Sequence, residues 1–130
     1  RERAAEIFHL YDNLPIPYAV YRASLDDDDA IRDVTLFYVN HAFEELSGLN
    51  AVDILGKTTR ETFPLTGREW YDMVRRTACE GTSTTVQMCN PSDGLLYHVT
   101  ASQVIHSGYC CVTYQRIAGQ HLDANISHSR

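Results

Sequence analysis

The sequence predicts an α+β domain, in which a five-stranded antiparallel sheet carries short helices across one face and an N-terminal helix on the other. The first observation is the order of hydrophobic periods: a helical pattern, two strand-like runs, several short helical patterns, a longer helix and three more strand-like runs. The second is that one strand-like run is apolar on both sides, with Leu95, Tyr97, Val99, Ala101 and Ile105 on one and Leu96 and Val104 on the other. Both faces of such a sheet need a cover, which the helical segments supply.

The chain length and the net charge limit the number of domains and the kinds of partner that the protein can have. At 130 residues the chain fits a single domain with its own core. Its 11 lysines and arginines stand against 17 acidic residues, and the net charge of -6 disfavours nucleic acid and anionic membrane surfaces as partners. No apolar run reaches the roughly 18 to 20 residues that cross a bilayer, and the N-terminus lacks the apolar core of a signal peptide. We therefore expect a cytoplasmic domain without membrane contact. Because the chain begins at Arg1 without a methionine, we also expect it to be part of a longer protein.

The reactive side chains form no recognisable catalytic or metal-binding pattern. The four cysteines, at positions 79, 89, 110 and 111, have neither CxxC spacing nor a disulfide framework, so free thiols are expected. The six histidines are scattered, and no hydrolase, metalloprotease or phosphate-loop motif occurs. Pairing His98 or His106 with Cys89 or Cys111 does not supply four metal ligands at a familiar spacing. We predict that the domain is not an enzyme and holds no metal.

The first 14 residues predict an amphipathic helix with one apolar stripe. Its apolar residues recur at three- and four-residue spacing, and Pro15 and Pro17 end it. We divide the chain into this helix (1–14), a core domain (15–118) and a polar tail or linker to an effector (119–130). The helix is the available cover for the second sheet face, either in the same chain or in a homodimer. The expected dimer-interface residues are Ile7, Phe8 and Tyr11.

Residues 17–23 and 34–40 read as two strands that can form a hairpin around an acidic connection. Four consecutive aspartates, 26–29, occupy that connection. They lack the spaced ligands and central glycine of an EF-hand loop, so calcium binding is not predicted.

A series of short helices follows the second strand, each with a capping residue and a stop. Thr58 and Glu61 make a capping-box pattern in the third of them. The predicted helices are 41–47 between Asn40 and Gly48, 51–55 between Asn50 and Gly56, and a single turn between Thr58 and Pro64.

A longer helix is predicted next, because Thr66 and Glu69 repeat the capping-box pattern and Gly81 offers a stop. After it the hydrophobic period changes to 2, and residues 82–89, 95–105 and 109–117 predict three strands. The short turns between them favour antiparallel hairpins.

The segment 37–58, FYVNHAFEELSGLNAVDILGKT, resembles the signature segment of PAS domains. In that family a strand ends in an asparagine, an Ala-Phe helix follows, and a short turn closes with an Ile-Leu-Gly-Lys pattern. The element order over residues 15–118 agrees with the family. The segment 7–23, IFHLYDNLPIPYAVYRA, also resembles the leading helix and first strand of PAS domains upstream of bacterial diguanylate cyclases and histidine kinases. The resemblance implies a sensor domain in two-component or cyclic-di-GMP signalling, attached to a kinase or cyclase effector. The Asp-Ile-Thr motif that often leads into the effector is absent near residue 118, which leaves the type of effector open.

The resemblance also implies a pocket between sheet and helices, without naming what fills it. Heme-binding members ligate iron through a histidine on the helical segment, and here no histidine occurs between His41 and His98. Members that bond flavin covalently use a cysteine in the third short helix, which has none here. These absences argue against histidine-ligated heme and the covalent flavin photocycle, while noncovalent flavin stays open and the cofactor is unknown.

Apolar walls with a few polar groups, such as Thr77 and Tyr97, favour a small organic ligand of aromatic or lipid-like character. The alternative is that the same side chains are plain core, and that the domain is a ligand-free dimerisation or interaction module that positions effectors. The candidate ligand-binding residues are Phe43, Leu46, Leu55, Phe63, Trp70, Met73, Val74, Thr77, Met88, Tyr97 and Val99.

Overall fold

The computed structural model describes residues 6–121 of the chain, with side chains described as far as residue 117. A short 3-10 helix comes first, followed by two strands, four α-helices and three strands, in the order that the sequence predicts. The elements are the 3-10 helix Phe8–Tyr11, β1 Tyr18–Leu25, β2 Ile31–Val39, α1 His41–Ser47, α2 Ala51–Ile54, α3 Thr59–Thr62, α4 Arg68–Glu80, β3 Thr84–Cys89, β4 Leu95–Gln103 and β5 Tyr109–His121.

The five strands form one antiparallel sheet in the order β2-β1-β5-β4-β3. The last strand is therefore central, with β1 on one side and β4 on the other. Tyr18 on β1 pairs with Thr113, which pairs with Thr100 on β4. The predicted α+β fold with its five-stranded sheet and short helices across one face is confirmed.

The caps of the first and third helices are as predicted. The Asn40 side chain accepts a hydrogen bond from the Phe43 backbone N–H at 3.0 Å, and Gly48 ends α1 with a left-handed φ of 75°. Thr58 and Glu61 exchange both hydrogen bonds of a capping box at α3. These helices are short because a residue that ends the helix follows each capping residue within a few positions.

Two predicted helix boundaries are wrong. Helix α4 begins at Arg68 after Gly67, because the Thr66 N–H donates to the Phe63 carbonyl at 3.1 Å and so belongs to a turn. Helix α2 ends at Ile54, with Leu55 in an extended conformation.

The cap of α2 also differs from the prediction, because the Asn50 side chain makes no capping bond. The Glu44 carboxylate accepts from the Ala51 N–H at 2.7 Å instead. The stop that follows α2 fixes the helices to the sheet: the Gly56 N–H donates to the Leu36 carbonyl at 2.8 Å, and the Leu36 N–H to the Lys57 carbonyl at 3.0 Å.

The strand that the sequence places at 95–105 ends at Gln103. Ile105 has a left-handed φ of 64° and is 44% exposed, so it belongs to the turn before β5 and not to the core face. Leu95, Tyr97, Val99 and Ala101 do face the core, as the alternation predicts.

The predicted N-terminal helix is not confirmed as a regular helix. Glu6 and Ile7 are helical and run into the 3-10 turn Phe8–Tyr11, where the Asp12 N–H bonds the His9 carbonyl. Residues 1–5 and 122–130 lie outside the described part, so the beginning of this helix and most of the predicted tail have no description here.

Each face of the sheet carries its own buried cluster. The larger cluster lies between sheet and helices and is centred on the fully buried Leu36, Met73, Val74 and Val112. The second cluster lies on the other face, where Phe8 packs with Tyr18, Val20 and Tyr38. None of the helices in the described residues is long and apolar enough to span a membrane.

Candidate functional site

Three hydrogen-bonded aromatic side chains form the polar centre of the larger cluster. The hydroxyls of Tyr21 on β1 and Tyr114 on β5 lie 2.8 Å apart. The indole N–H of Trp70, on α4, donates to the Tyr114 hydroxyl at 3.1 Å. The rings of Tyr21 and Trp70 meet edge-to-face with centroids 4.9 Å apart. We call these residues the Tyr-Tyr-Trp triad.

Both phenols of the triad are protonated at neutral pH. Burial raises the pKa of Tyr21 well above its ordinary value. Burial also raises the pKa of Tyr114 to about 12. Each therefore keeps an O–H hydrogen that it can donate.

The short helices touch the triad through aromatic rings. The Phe43 ring on α1 lies 5.9 Å from the Tyr114 ring and 5.9 Å from the Phe63 ring, which follows α3. Helix α3 is joined to α4 by a hydrogen bond of 2.8 Å between the hydroxyls of Thr59 and Tyr71. A displacement of α1 or α3 therefore changes the surroundings of the triad.

The structure brings most of the candidate ligand-binding residues together between sheet and helices. The exception is Leu55, which is 40% exposed because α2 has already ended, and Ile54 takes the buried position instead. Binding by these residues stays a prediction. Those that are buried are Phe43, Trp70, Met73, Val74, Thr77, Tyr97 and Val99, and those that are partly buried against the same cluster are Leu46, Phe63 and Met88.

Sequence reasoning missed Tyr21, Tyr114 and Tyr71. The inward-facing positions of β1 are Ala19, Tyr21 and Ala23, so strand alternation alone marks Tyr21 as a core residue. Which residues of distant strands meet is not a local property, and Tyr21 and Tyr114 come together only because β5 lies beside β1.

The hydroxyls of Thr77 and Tyr97, the two polar groups predicted to line the pocket, differ in their hydrogen bonding. The Tyr97 hydroxyl donates to the Asp93 carboxylate at 2.6 Å, so it is satisfied by the turn before β4. The Thr77 hydroxyl is fully buried and has no hydrogen-bond partner in the described part of the chain. An unsatisfied buried hydroxyl is costly and needs an explanation.

Asn40 connects the helical segment with the N-terminal segment. Besides capping α1, its side-chain oxygen accepts from the Tyr18 N–H at 3.0 Å. Its amide N–H groups donate to the carbonyls of Tyr11 at 3.0 Å and Ile16 at 2.9 Å. The Asn40 side chain is 1% exposed and makes all four hydrogen bonds that an asparagine amide in this position offers.

A second contact holds the N-terminal segment on the sheet. The Tyr38 hydroxyl donates to the Asp12 carboxylate at 2.5 Å, which holds the pKa of Asp12 below its ordinary value. Of the expected dimer-interface residues, Phe8 is 5% exposed and packs within its own chain, Tyr11 is half-buried and Ile7 is 62% exposed. A contact between two chains through these residues stays a prediction.

Metal-ligating side chains do not converge in the part of the chain that is described: no three histidine, cysteine, aspartate or glutamate residues there are placed to share an ion. The four cysteines are free thiols. In the acidic connection, the Asp26 carboxylate accepts from the backbone N–H groups of Asp28 and Ala30, at 2.8 and 3.1 Å. The carboxylate thus shapes its own turn.

The chain is similar to known proteins in its fold and not in its sequence. No protein-family model matches the chain, and no curated protein does. Among solved structures, the LOV protein of Rhodobacter sphaeroides superposes with a TM-score of 0.66 at 16% identity, covering 99% of this chain and 77% of that one. The PAS domain of BvgS from Bordetella pertussis gives a TM-score of 0.62 at 18% identity, covering 99% of this chain and 94% of that one. The chain has the PAS fold.

The PAS fold assignment confirms the resemblance inferred from residues 37–58. A third PAS-fold neighbour is the photoactive yellow protein domain of the sensor histidine kinase Ppr from Rhodospirillum centenum, with a TM-score of 0.53 at 12% identity. It covers 82% of this chain and 90% of that one.

Proposed function

We propose that this PAS domain is a signal-sensing input module, which binds a small organic ligand between helices α1–α4 and the sheet. In response it alters the packing of its N-terminal segment and of β5, and so passes the signal to a covalently attached effector. The observation that supports this proposal is the Tyr-Tyr-Trp triad, a polar group within an apolar core beneath a wall of short helices. Buried polar groups are costly unless they are hydrogen-bonded, so a polar group in this position supports a role beyond the filling of space.

The wall of the proposed site opens at low cost. Helices α2 and α3 span four residues each, so each buries little apolar surface and makes few backbone hydrogen bonds. A ligand that binds better to one arrangement of this wall shifts the population of the domain towards it. Phe43, Phe63 and Trp70 supply aromatic surface, which favours a ligand of aromatic or lipid-like character.

The proposed relay begins at Phe43. Its ring touches Tyr114, and its backbone N–H is bonded to the side chain of Asn40. Asn40 in turn holds the Tyr11 and Ile16 carbonyls of the N-terminal segment. A shift of α1 therefore acts directly on the segment that enters the domain. A second route runs along β5, which carries Tyr114 and continues to His121.

The proposed effector is a kinase or a cyclase, and the domain itself has no catalytic role. The photoactive yellow protein domain with the same fold belongs to a sensor histidine kinase, which supports the kinase type.

Trp70 provides a direct test of ligand binding. It is the single tryptophan of the chain, so its indole N–H gives one resolved signal in a ¹H–¹⁵N correlation spectrum. We expect native mass spectrometry of freshly purified protein to show a bound small molecule, or a panel of small aromatic and lipid-like compounds to shift this signal saturably. A ligand-free protein whose Trp70 signal no compound moves would overturn the sensing proposal.

A second candidate function is a homodimeric interaction module that positions effectors without a ligand. The observation that favours it is the exposure of Ile7 at 62% and Leu10 at 83%, beside the buried Phe8. Such apolar exposure on one short segment fits a contact with a second copy of the chain.

Point substitutions test the dimer better than removal of residues 1–14, which would also remove Asp12 and the carbonyl of Tyr11 that hold the fold. We expect Ile7→Asp combined with Leu10→Asp to convert a dimer to a monomer in sedimentation velocity. Val52→Asp is the matched control, because Val52 is 85% exposed on α2. A monomeric wild-type chain, or a dimer that survives the double substitution, would contradict this candidate.

A further inference from the structure

The Tyr-Tyr-Trp triad has three polar hydrogens but only two hydrogen bonds among its members. Its three polar groups carry three hydrogens, on the Trp70 nitrogen and on the two phenol oxygens. Trp70 donates to Tyr114, and a single hydrogen bond joins Tyr114 to Tyr21. Whichever phenol donates in that bond, the hydrogen of the other has no acceptor in the described part of the chain. The triad therefore presents a spare O–H donor inside the core.

Because the spare O–H donor is buried, leaving it without an acceptor costs free energy. Tyr21 is 2% exposed, so bulk water does not reach its hydroxyl, and Tyr114 is partly buried against the same cluster. A buried donor without an acceptor costs more than a typical hydrogen bond contributes, so the free energy gained by supplying an acceptor is large. Thr77, on the same buried face of α4 as Trp70, adds a hydroxyl that has no hydrogen-bond partner among the described residues.

The lack of buried charged side chains among the described residues determines which kind of acceptor this core can hold. Among the described residues no charged side chain is buried, since the buried polar side chains are those of Asn40, Thr59 and Thr77. A ligand carboxylate or phosphate would lie in this core without a counter-charge, which is strongly unfavourable. A neutral acceptor, such as a ketone or amide oxygen or an aromatic nitrogen, satisfies the donor without that penalty.

We propose that the triad receives the neutral hydrogen-bond acceptor of a planar apolar ligand, whose rings pack against Phe43 and Trp70. This inference rests on the proposed function and deepens it by assigning the chemical class of the ligand. The apolar body of the ligand supplies affinity, and the acceptor supplies the selection between otherwise similar molecules.

A matched pair of probes isolates the acceptor. 1-Indanone and indane have the same fused ring skeleton and differ by a ketone in place of a methylene. Each is titrated into the full 130-residue chain, with the Trp70 indole N–H signal as the readout. We expect 1-indanone to bind about tenfold more tightly than indane, the effect of one added hydrogen bond in a buried site.

Substitutions then assign the preference to the triad. Tyr21→Phe leaves the Tyr114 hydrogen free to donate, so the preference for 1-indanone should remain. Removing both phenols alone would free the Trp70 N–H, which donates to Tyr114. Tyr21→Phe, Tyr114→Phe and Trp70→Phe combined remove all three donors, and the two probes, followed here by ligand-observed saturation-transfer NMR, should then bind with equal affinity. Tyr38→Phe is the matched control, because it removes a partnered phenol on the opposite sheet face and should leave the preference unchanged.

A further measurement tests the proposal even if the triple variant fails to fold. The carbonyl stretch of 1-indanone bound to the wild-type chain should move to lower wavenumber than in hexane, as in a hydrogen-bonded ketone. An unshifted stretch, or equal binding of the two probes by the wild-type chain, would overturn the acceptor inference and leave the ligand-binding proposal standing. If neither probe binds at millimolar concentration, the acceptor inference falls together with the aromatic ligand class of the proposed function.

Discussion

Replacement of Asn40 should destabilise the domain far more than the loss of an ordinary helix cap. Asn40→Ala removes the cap of α1 and three further buried hydrogen bonds, to the Tyr18 N–H and to the carbonyls of Tyr11 and Ile16. A cap contributes about 1 kcal/mol. Each of the other bonds contributes about 1 kcal/mol net. The expected loss is therefore about 4 kcal/mol, a large part of the roughly 5 to 15 kcal/mol that stabilises a domain.

Two comparison variants divide this loss into its parts. Asn40→Ser keeps a side-chain oxygen that caps α1, but it is too short to reach the Tyr11 and Ile16 carbonyls. It should therefore recover about 1 kcal/mol relative to Asn40→Ala. Thr58→Ala removes a cap without a buried tether, since Thr58 serves α3 alone, and should cost about 1 kcal/mol.

The assay is equilibrium unfolding in urea, followed by the fluorescence of Trp70. Hydrogen exchange adds a local readout, because loss of the tether should raise exchange in the N-terminal segment before it affects the sheet. If Asn40→Ala destabilises the domain no more than Thr58→Ala does, the Tyr11, Ile16 and Tyr18 bonds contribute nothing and the tether is an incidental contact.

Three further predictions concern other contacts of the fold. Thr77→Val should raise the free energy of unfolding by up to about 1 kcal/mol, because it replaces an unsatisfied buried hydroxyl with a methyl group of the same shape. A destabilised variant in urea unfolding would show that this hydroxyl has a partner. The low pKa of Asp12 in the folded state means that its contribution to stability is present above its unfolded pKa of about 3.9 and is lost as the pH falls further. Tyr38→Phe removes the main cause, so its stability should fall less steeply than that of the wild type between about pH 5 and 2 in thermal unfolding; equal slopes would refute this. Arg75→Ala removes the 2.8 Å bond to the Asp29 carbonyl and should speed hydrogen exchange in the β1–β2 turn while that in β4 stays unchanged. Unchanged exchange in the turn would contradict a holding role.

The features that the sequence predicts correctly are local ones. Asn40 and Thr58 cap their helices because the donors that they satisfy lie within three residues along the chain. Thr66 carries the same pattern but is not a cap, because its N–H already bonds the Phe63 carbonyl in a turn. A capping pattern in the sequence therefore predicts the start of a helix correctly only where the capping residue is not already part of a turn.

The triad and the tether depend on contacts between distant segments, which periodicity does not contain. Tyr21 and Tyr114 are 93 positions apart, and their hydroxyls meet because the final strand inserts beside the first. Strand alternation shows that each points inward, but not that they share a hydrogen bond. The burial of Phe8 has a similar origin, because hydrogen bonds to Asn40 and Tyr38, as well as its own apolar residues, fix the position of the N-terminal segment.

The central place of the last strand governs when this domain becomes able to fold during synthesis. Before β5 leaves the ribosome, the chain holds two separate hairpins, β1–β2 and β3–β4, and each presents an unpaired edge. The pairing of Tyr18 with Thr113 closes almost the whole domain, so cooperative folding of the domain requires nearly all of its strands. A nascent chain stalled before residue 109 is therefore the species most exposed to aggregation and to chaperones.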